Sequence, residues 1–235
     1  MKLNILIIFT TLLSLFAHSQ GVDPVVLISG KVVNERNMKP IAAKVIYEIL
    51  PDGKLAGIAR SNPLNGSYKI ILPRGKKYGY YAIAEGYYSI TRHLDVTKLD
   101  KYEEIDEQNL FMAPVEKDQV ITLNNVFFKG RTAELLPESY PELNRFVKFL
   151  KENKKAYILV TGHTDNQGDP KELEKLSLER AQKIADYLIK HGIKEKRISV
   201  KGYGSSRPIS FNKDPEGRAR NNRIEVIIVS IGKKK

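Results

Sequence analysis

At 235 residues and 42% hydrophobic content, the chain is long enough for one large domain or two modest ones, each with its own core. Its net charge of +12 favours anionic partners, but Lys and Arg interleave with Glu and Asp, which describes a solvated surface rather than a nucleic-acid site. The absence of cysteine excludes disulfides, thiolate metal sites, cysteine nucleophiles and lipid attachment through an N-terminal cysteine.

Met1-Lys2 is followed by an apolar run from Ile5 to Ala17. At about 13 residues it falls short of the roughly 20 that a membrane-spanning helix needs. Ala17-His18-Ser19 then offers small residues at the first and third positions, as signal peptidase requires. Residues 1–19 are therefore a predicted signal peptide, with Gln20 as the mature N-terminus; retention as an uncleaved anchor is the competing reading. No later stretch is apolar enough to cross a bilayer, so the mature chain has no expected membrane span and is placed outside the cytoplasm.

Residues 22–113 have β patterning throughout. Val25 to Val33 and Lys44 to Leu50 are candidate strands, and Pro51-Asp52-Gly53 makes a tight turn. In Gly66 to Pro73, residues Tyr68, Ile70 and Leu72 share one face, and Tyr78 to Ala84 repeats the pattern. Strands at this spacing without a helical period predict an all-β sandwich. Tyr78, Tyr80, Tyr81, Tyr87 and Tyr88 could stack on sugars, but strand alternation buries half of them, so a structural role is expected. Three features resemble the carboxypeptidase-regulatory-like (transthyretin-like) β-sandwich family. They are Ser29-Gly30-Lys31-Val32-Val33, Lys39-Pro40-Ile41, and Asn65-Gly66-Ser67-Tyr68 before Leu72-Pro73, with Glu85-Gly86-Tyr87 following. The resemblance implies a spacer or interaction module without catalytic machinery.

From Leu99 to Lys117 the chain turns acidic and loses periodicity around Ala113-Pro114. This stretch is the expected inter-domain connection, with 114–118 as the linker. Beyond it, residues 119–235 alternate strands and helices. Val120 to Phe128 is a predicted strand. Ser139-Tyr140-Pro141-Glu142 has the form of a capping box, and Leu143, Phe146, Val147 and Leu150 make one helical stripe. Tyr157 to Thr161 is the next strand. Asp169-Pro170-Lys171-Glu172 opens a second helix with its stripe at Leu173, Leu176, Ile184 and Leu188, stopped by Gly192. Ile198 to Lys201 and Arg223 to Ile231 close the series. The expected order is β-α-β-α-β-β, an α/β sandwich with helices on one mixed sheet.

Within that frame lie Gly162-His163-Thr164-Asp165, Gly168, and Leu176-Ser177-Leu178-Glu179-Arg180-Ala181. Gly192-Ile193, Arg197-Ile198, Gly202-Tyr203-Gly204, Pro208, Asn212, Glu216-Gly217-Arg218, and Asn221 with Arg223-Ile224-Glu225 follow in register. These residues resemble the OmpA-like C-terminal peptidoglycan-binding domain family, which includes the Pal lipoproteins and the flagellar protein MotB. The resemblance implies a domain that grips the diaminopimelate of a peptidoglycan stem, a zwitterion with ammonium and carboxylate groups.

Carried over by motif position, Asp165 would hold the ammonium and Arg180 the carboxylate, as a guanidinium fork suits. Backbone amides from Thr164 to Gly168, near a helix N-terminus, would take further carboxylates. Arg223 would either support the pocket or serve as a structural ion-pair partner. His163 has no second ligand at metal spacing and is expected to be packed or hydrogen-bonded. Two departures concern affinity: Leu173 stands where the family has Asn, and Asn222 replaces one Arg of a closing Asn-Arg-Arg.

The expected function is a non-covalent tether of the cell wall to an envelope partner, in the periplasm beside the wall or outer membrane, without a cofactor. A scaffold in a secretion or motility complex, with weak or lost wall binding, is the alternative. A wall hydrolase is least favoured, because no catalytic constellation is visible.

Overall fold

The computed structural model describes residues 25–232, so the predicted signal peptide lies outside the described residues. The N-terminal part contains β1 (Val25–Asn34), β2 (Lys44–Ile49), β3 (Lys54–Arg60), β4 (Ser67–Pro73), β5 (Lys77–Ile83), β6 (Tyr87–Tyr88), β7 (Arg92–Asp95), β8 (Glu103–Ile105) and β9 (Leu110–Pro114). One sheet runs β4-β1-β9-β6, with β8 also on β1; the other runs β3-β2-β5-β7. Alternation decides which residues turn inward. Val26, Ile28, Tyr68 and Leu72 from the first sheet share one core with Val45, Tyr47, Tyr78 and Tyr80 from the second. The phenols enter that core with their polar ends satisfied. Tyr47 and Tyr80 stack at 4.9 Å, the Tyr47 and Tyr68 hydroxyls meet at 3.0 Å, and Tyr80 donates to Gln108. Tyr78, Tyr80 and Tyr81 are thus buried packing residues.

The stretch read as the inter-domain connection, Leu99 to Lys117, is partly built into this fold. Glu103–Ile105 and Leu110–Pro114 both pair in parallel with β1. Leu110 and Met112 are buried, while acidic and polar neighbours disguise their alternation.

The C-terminal part contains β10 (Val120–Thr122), α1 (Tyr140–Glu152), β11 (Ala156–Gly162), α2 (Pro170–Lys190), β12 (Ile198–Gly202), α3 (Pro215–Asn221) and β13 (Ile224–Ile231). Its mixed sheet has the order β10-β13-β11-β12, with β11 and β12 parallel. Leu143, Phe146, Val147 and Leu150 of α1, with Ala181, Ile184 and Leu188 of α2, cover Ile158, Val160, Val226 and Ile228 of the sheet. This is an α/β domain. Among the described residues, no helix is long and apolar enough to cross a membrane.

Three sequence expectations are corrected here. The strand predicted over Val120 to Phe128 ends at Thr122, because Asn124-Asn125 turn the chain before Phe128 bridges to Leu135. Ser139 does not cap α1. It is helical, fully buried, and its hydroxyl bonds both the N–H and the carbonyl of Phe127, fastening that turn to the helix start. A short helix, α3, stands between the last two strands. Its signal was present in Asp214-Pro215, where the Asp214 carboxylate accepts from Gly217 N at 2.6 Å. By contrast, Asp169 caps α2 as its sequence indicates, accepting from Lys171 N and Glu172 N.

The two parts meet along α1. Glu48 of β2, 3% exposed, accepts from Arg145 Nε at 3.0 Å, Lys148 Nζ at 2.8 Å and the Tyr81 hydroxyl at 2.9 Å. Gly86 N donates to Asn153 Oδ1 at 2.7 Å, and Tyr88 sits edge-on against Phe149.

Candidate functional site

Three loops gather at one end of the α/β domain: residues 128–135 before α1, 163–169 between β11 and α2, and 203–223 around α3. They enclose a cleft of about 930 Å³ whose lining includes Thr164, Asp165, Arg180 and Arg223, four of the five residues singled out from sequence. The fifth, Gly168, sits beside the cleft with φ +137° and lies against the Arg131 guanidinium. A side chain at 168 would displace Arg131 and would also strain the backbone.

The loop carrying Thr164 and Asp165 is held by the motif around it. Ser177 of α2 is fully buried, and its Oγ accepts from Gly204 N at 2.9 Å. Gly204 O in turn accepts from Thr164 N at 2.9 Å. His163 and Arg223 exchange backbone hydrogen bonds and continue the β11–β13 pairing into the cleft wall. Gly204 adopts φ +48° with its Cα pressed on the Leu173–Glu174 backbone, a close approach only glycine permits.

Asp165 is fixed from two sides. Its Oδ1 accepts from Gln167 N at 2.9 Å, and its Oδ2 accepts from Asn222 Nδ2 at 2.8 Å. Asn222 Oδ1 also accepts from Asp165 N at 3.3 Å. The residue that looked like a lost cation is therefore a neutral clamp on the Asp165 carboxylate. Spacing gave no signal of this, because it depends on how α3 packs.

Arg180, 7% exposed, donates through Nε to Thr132 O at 2.9 Å and through Nη2 to Gly130 O at 2.7 Å. Its guanidinium lies 4.8 Å from the Phe128 ring centroid. Burial lowers its pKa, the Asp165 charge opposes that, and Arg131 adds to it. The protein's carbonyls are neutral partners, so they orient the cation without cancelling its charge. Among the described residues no ion pair joins Arg180 to Asp165, although the Asp165 charge acts on Arg180.

Arg223 is committed within the wall. It donates to Glu225 Oε1 at 2.7 Å, to Asn221 O and to Arg207 O. His163, 2% exposed, stacks on Tyr203, and its Nε2 lies 3.3 Å from Glu225. Burial and the Arg223 charge depress its pKa to about 4, against the pull of Glu225, so the ring is neutral. The expected cradle of free amides is largely filled: the N–H groups of Thr164, Asp165 and Gln167 all have internal acceptors. Leu173, the other departure, is buried in the cleft wall at 2% exposure. Two buried side-chain atoms have no hydrogen-bond partner, His163 Nδ1 and Thr164 Oγ1, and the second belongs to a residue that lines the cleft.

The OmpA family model matches residues 127–222. The chain is 38% identical over 108 residues to the peptidoglycan-binding protein ArfA of Mycobacterium tuberculosis, covering 46% of this chain and 33% of that protein. It is 36% identical over 105 residues to the probable lipoprotein YiaD of Escherichia coli, covering 45% and 48% respectively. It thus spans less than half the length of these relatives. Among solved structures, it is similar to the cell wall anchor of the T6SS from Pseudomonas aeruginosa, at 33% identity and a TM-score of 0.41 over 46% of this chain and 78% of that one. Residues 127–222 of this chain form an OmpA family domain.

Proposed function

We propose that this chain is an exported envelope protein that binds peptidoglycan non-covalently, gripping the zwitterionic diaminopimelate of a stem peptide between Asp165 and Arg180. One observation carries the reading. A carboxylate on a hydrogen-bonded loop and a guanidinium on α2 line the same cleft, and each is oriented by neutral groups rather than paired with the other. Such a pair has electrostatic work left to do, which a ligand with both charges supplies. Thr164 Oγ1, buried and unpartnered, adds a neutral hydrogen-bonding group beside them. Gly168 makes room for the loop geometry, and Arg223 holds the wall through Glu225. The relative named for peptidoglycan binding supports the ligand class.

In this reading residues 22–113 form a β-sandwich of the regulatory-like kind, 114–118 link it to the domain at 119–235, and the sandwich faces an envelope partner in the periplasm. No catalytic role is assigned to any residue. The test is co-sedimentation of the full chain with purified sacculi, comparing wild type with Asp165→Asn and Arg180→Lys, each checked for folding by circular dichroism. Wild type should pellet and both variants should lose at least about ten-fold in affinity, the worth of one charge-assisted bond. A wild type that stays in the supernatant would reject wall binding and favour the scaffold alternative, with buried Leu173 as the first suspect.

A further inference from the structure

Arg180 is bound to the two carbonyls that flank residue 131, Gly130 O and Thr132 O. It therefore fixes the backbone of Arg131 from both sides. The loop is tightened further by Thr132 Oγ1 donating to Lys129 O and by Lys129 N donating to Glu134 O. From this fixed base the Arg131 side chain crosses the cleft mouth, and its Nη1 donates to Gln167 O beside Asp165. The bare Cα of Gly168 leaves the space that its Nη2 occupies.

Arg131 is exposed, and among the described residues no carboxylate pairs with it. A guanidinium has five N–H donors. Arg131 spends one of them on the protein, whereas the buried Arg180 spends two on carbonyls. Arg131 is close enough to lower the pKa of Arg180 while Asp165, acting more strongly, raises it, so this part of the cleft sets two cations against one carboxylate. Such a site gains most from a ligand that brings more negative than positive charge.

We propose that Arg131 is a second carboxylate-binding cation, and that the cleft selects stem peptides carrying two free carboxylates near the ammonium over those in which one is an amide. The inference rests on the peptidoglycan reading above and names the charge state of the ligand that this site prefers. Arg180 takes one carboxylate, Asp165 the ammonium, and Arg131 the carboxylate at the cleft mouth. The specificity is electrostatic. An amide cannot relieve the repulsion between the two guanidiniums, and it presents N–H groups to a donor fork.

The test is calorimetric titration of the full chain with two soluble probes: a muropeptide ending in diaminopimelate with both of its carboxylates free, and the same muropeptide amidated at the carboxylate not borne by the ammonium carbon, so that the group assigned to Arg180 is unchanged. Wild type, Arg131→Gln, Arg131→Lys and Asp165→Asn are compared. Wild type should prefer the free acid by roughly ten-fold, the worth of one partly exposed charge-assisted contact. Arg131→Gln should bring the ratio close to one while still binding both probes, and Arg131→Lys should retain part of the preference. Equal wild-type affinities, or a preference that survives unchanged in Arg131→Gln, overturn the proposal. In that event, loss of binding in Asp165→Asn would leave the peptidoglycan reading standing. A wild type that binds neither probe removes both.

Discussion

Replacing Glu48 with Ala should weaken the join between the two parts of the molecule by an amount that the geometry sets. The Glu48 carboxylate is 3% exposed and receives three donors: Arg145 Nε, Lys148 Nζ and the Tyr81 hydroxyl. Removing one partner of a fully buried ion pair costs about 3–5 kcal/mol, because the other charge is stranded. Two features bring the cost below that range. Lys148 is 40% exposed and can return its ammonium to water, and Arg145 keeps a second carboxylate, Glu142, at 2.9 Å. What remains is an Arg145 charge only 10% exposed with half its compensation gone, a Tyr81 hydroxyl that has lost its acceptor, and a small void. The expected loss is about 2–3 kcal/mol. Urea unfolding followed by circular dichroism measures it. A double-mutant cycle with Arg145→Ala should return a coupling of at least about 1 kcal/mol, since the groups are in direct contact. A loss below about 0.5 kcal/mol, typical of a surface substitution, would refute the reasoning and make the contact incidental.

Two further outcomes are expected. His163 titrates near pH 6.5 when unfolded but only near pH 4 when folded, so acid favours the unfolded chain. Stability is complete above pH 6.5 and falls by up to about 3 kcal/mol as pH drops to 4. Unfolding midpoints for wild type and His163→Gln across that window should diverge, with the flatter profile in the variant; parallel profiles would count against a buried neutral ring. Gly162→Ala should destabilise by about 1–3 kcal/mol, as overpacking does, because a Cβ there runs into the Ser177 carbonyl of α2. A variant melting with wild type would mean that α2 can step back from β11.

Much of this molecule was legible locally. Alternation in Val25 to Val33, the stripe at Leu143, Phe146, Val147 and Leu150, and the Asp169 cap each follow from a period or a capping geometry that neighbouring residues define by themselves. The motif residues Asp165 and Arg180 were identifiable because their register along the chain resembles a known family. What the sequence could not resolve were contacts without a period. Asn222 clamps a carboxylate 57 positions away, and Arg145 reaches Glu48 across 97. Ser139 had the form of a cap, yet its hydroxyl serves Phe127, because burial against that turn offered partners the helix did not need. Arg131 had no motif to mark it. Only the meeting of three loops, each placed by a different strand or helix, put its charge beside Arg180 in the cleft. Local propensity sets the elements, whereas the site arises where their ends converge, and that convergence is fixed by packing across the whole domain.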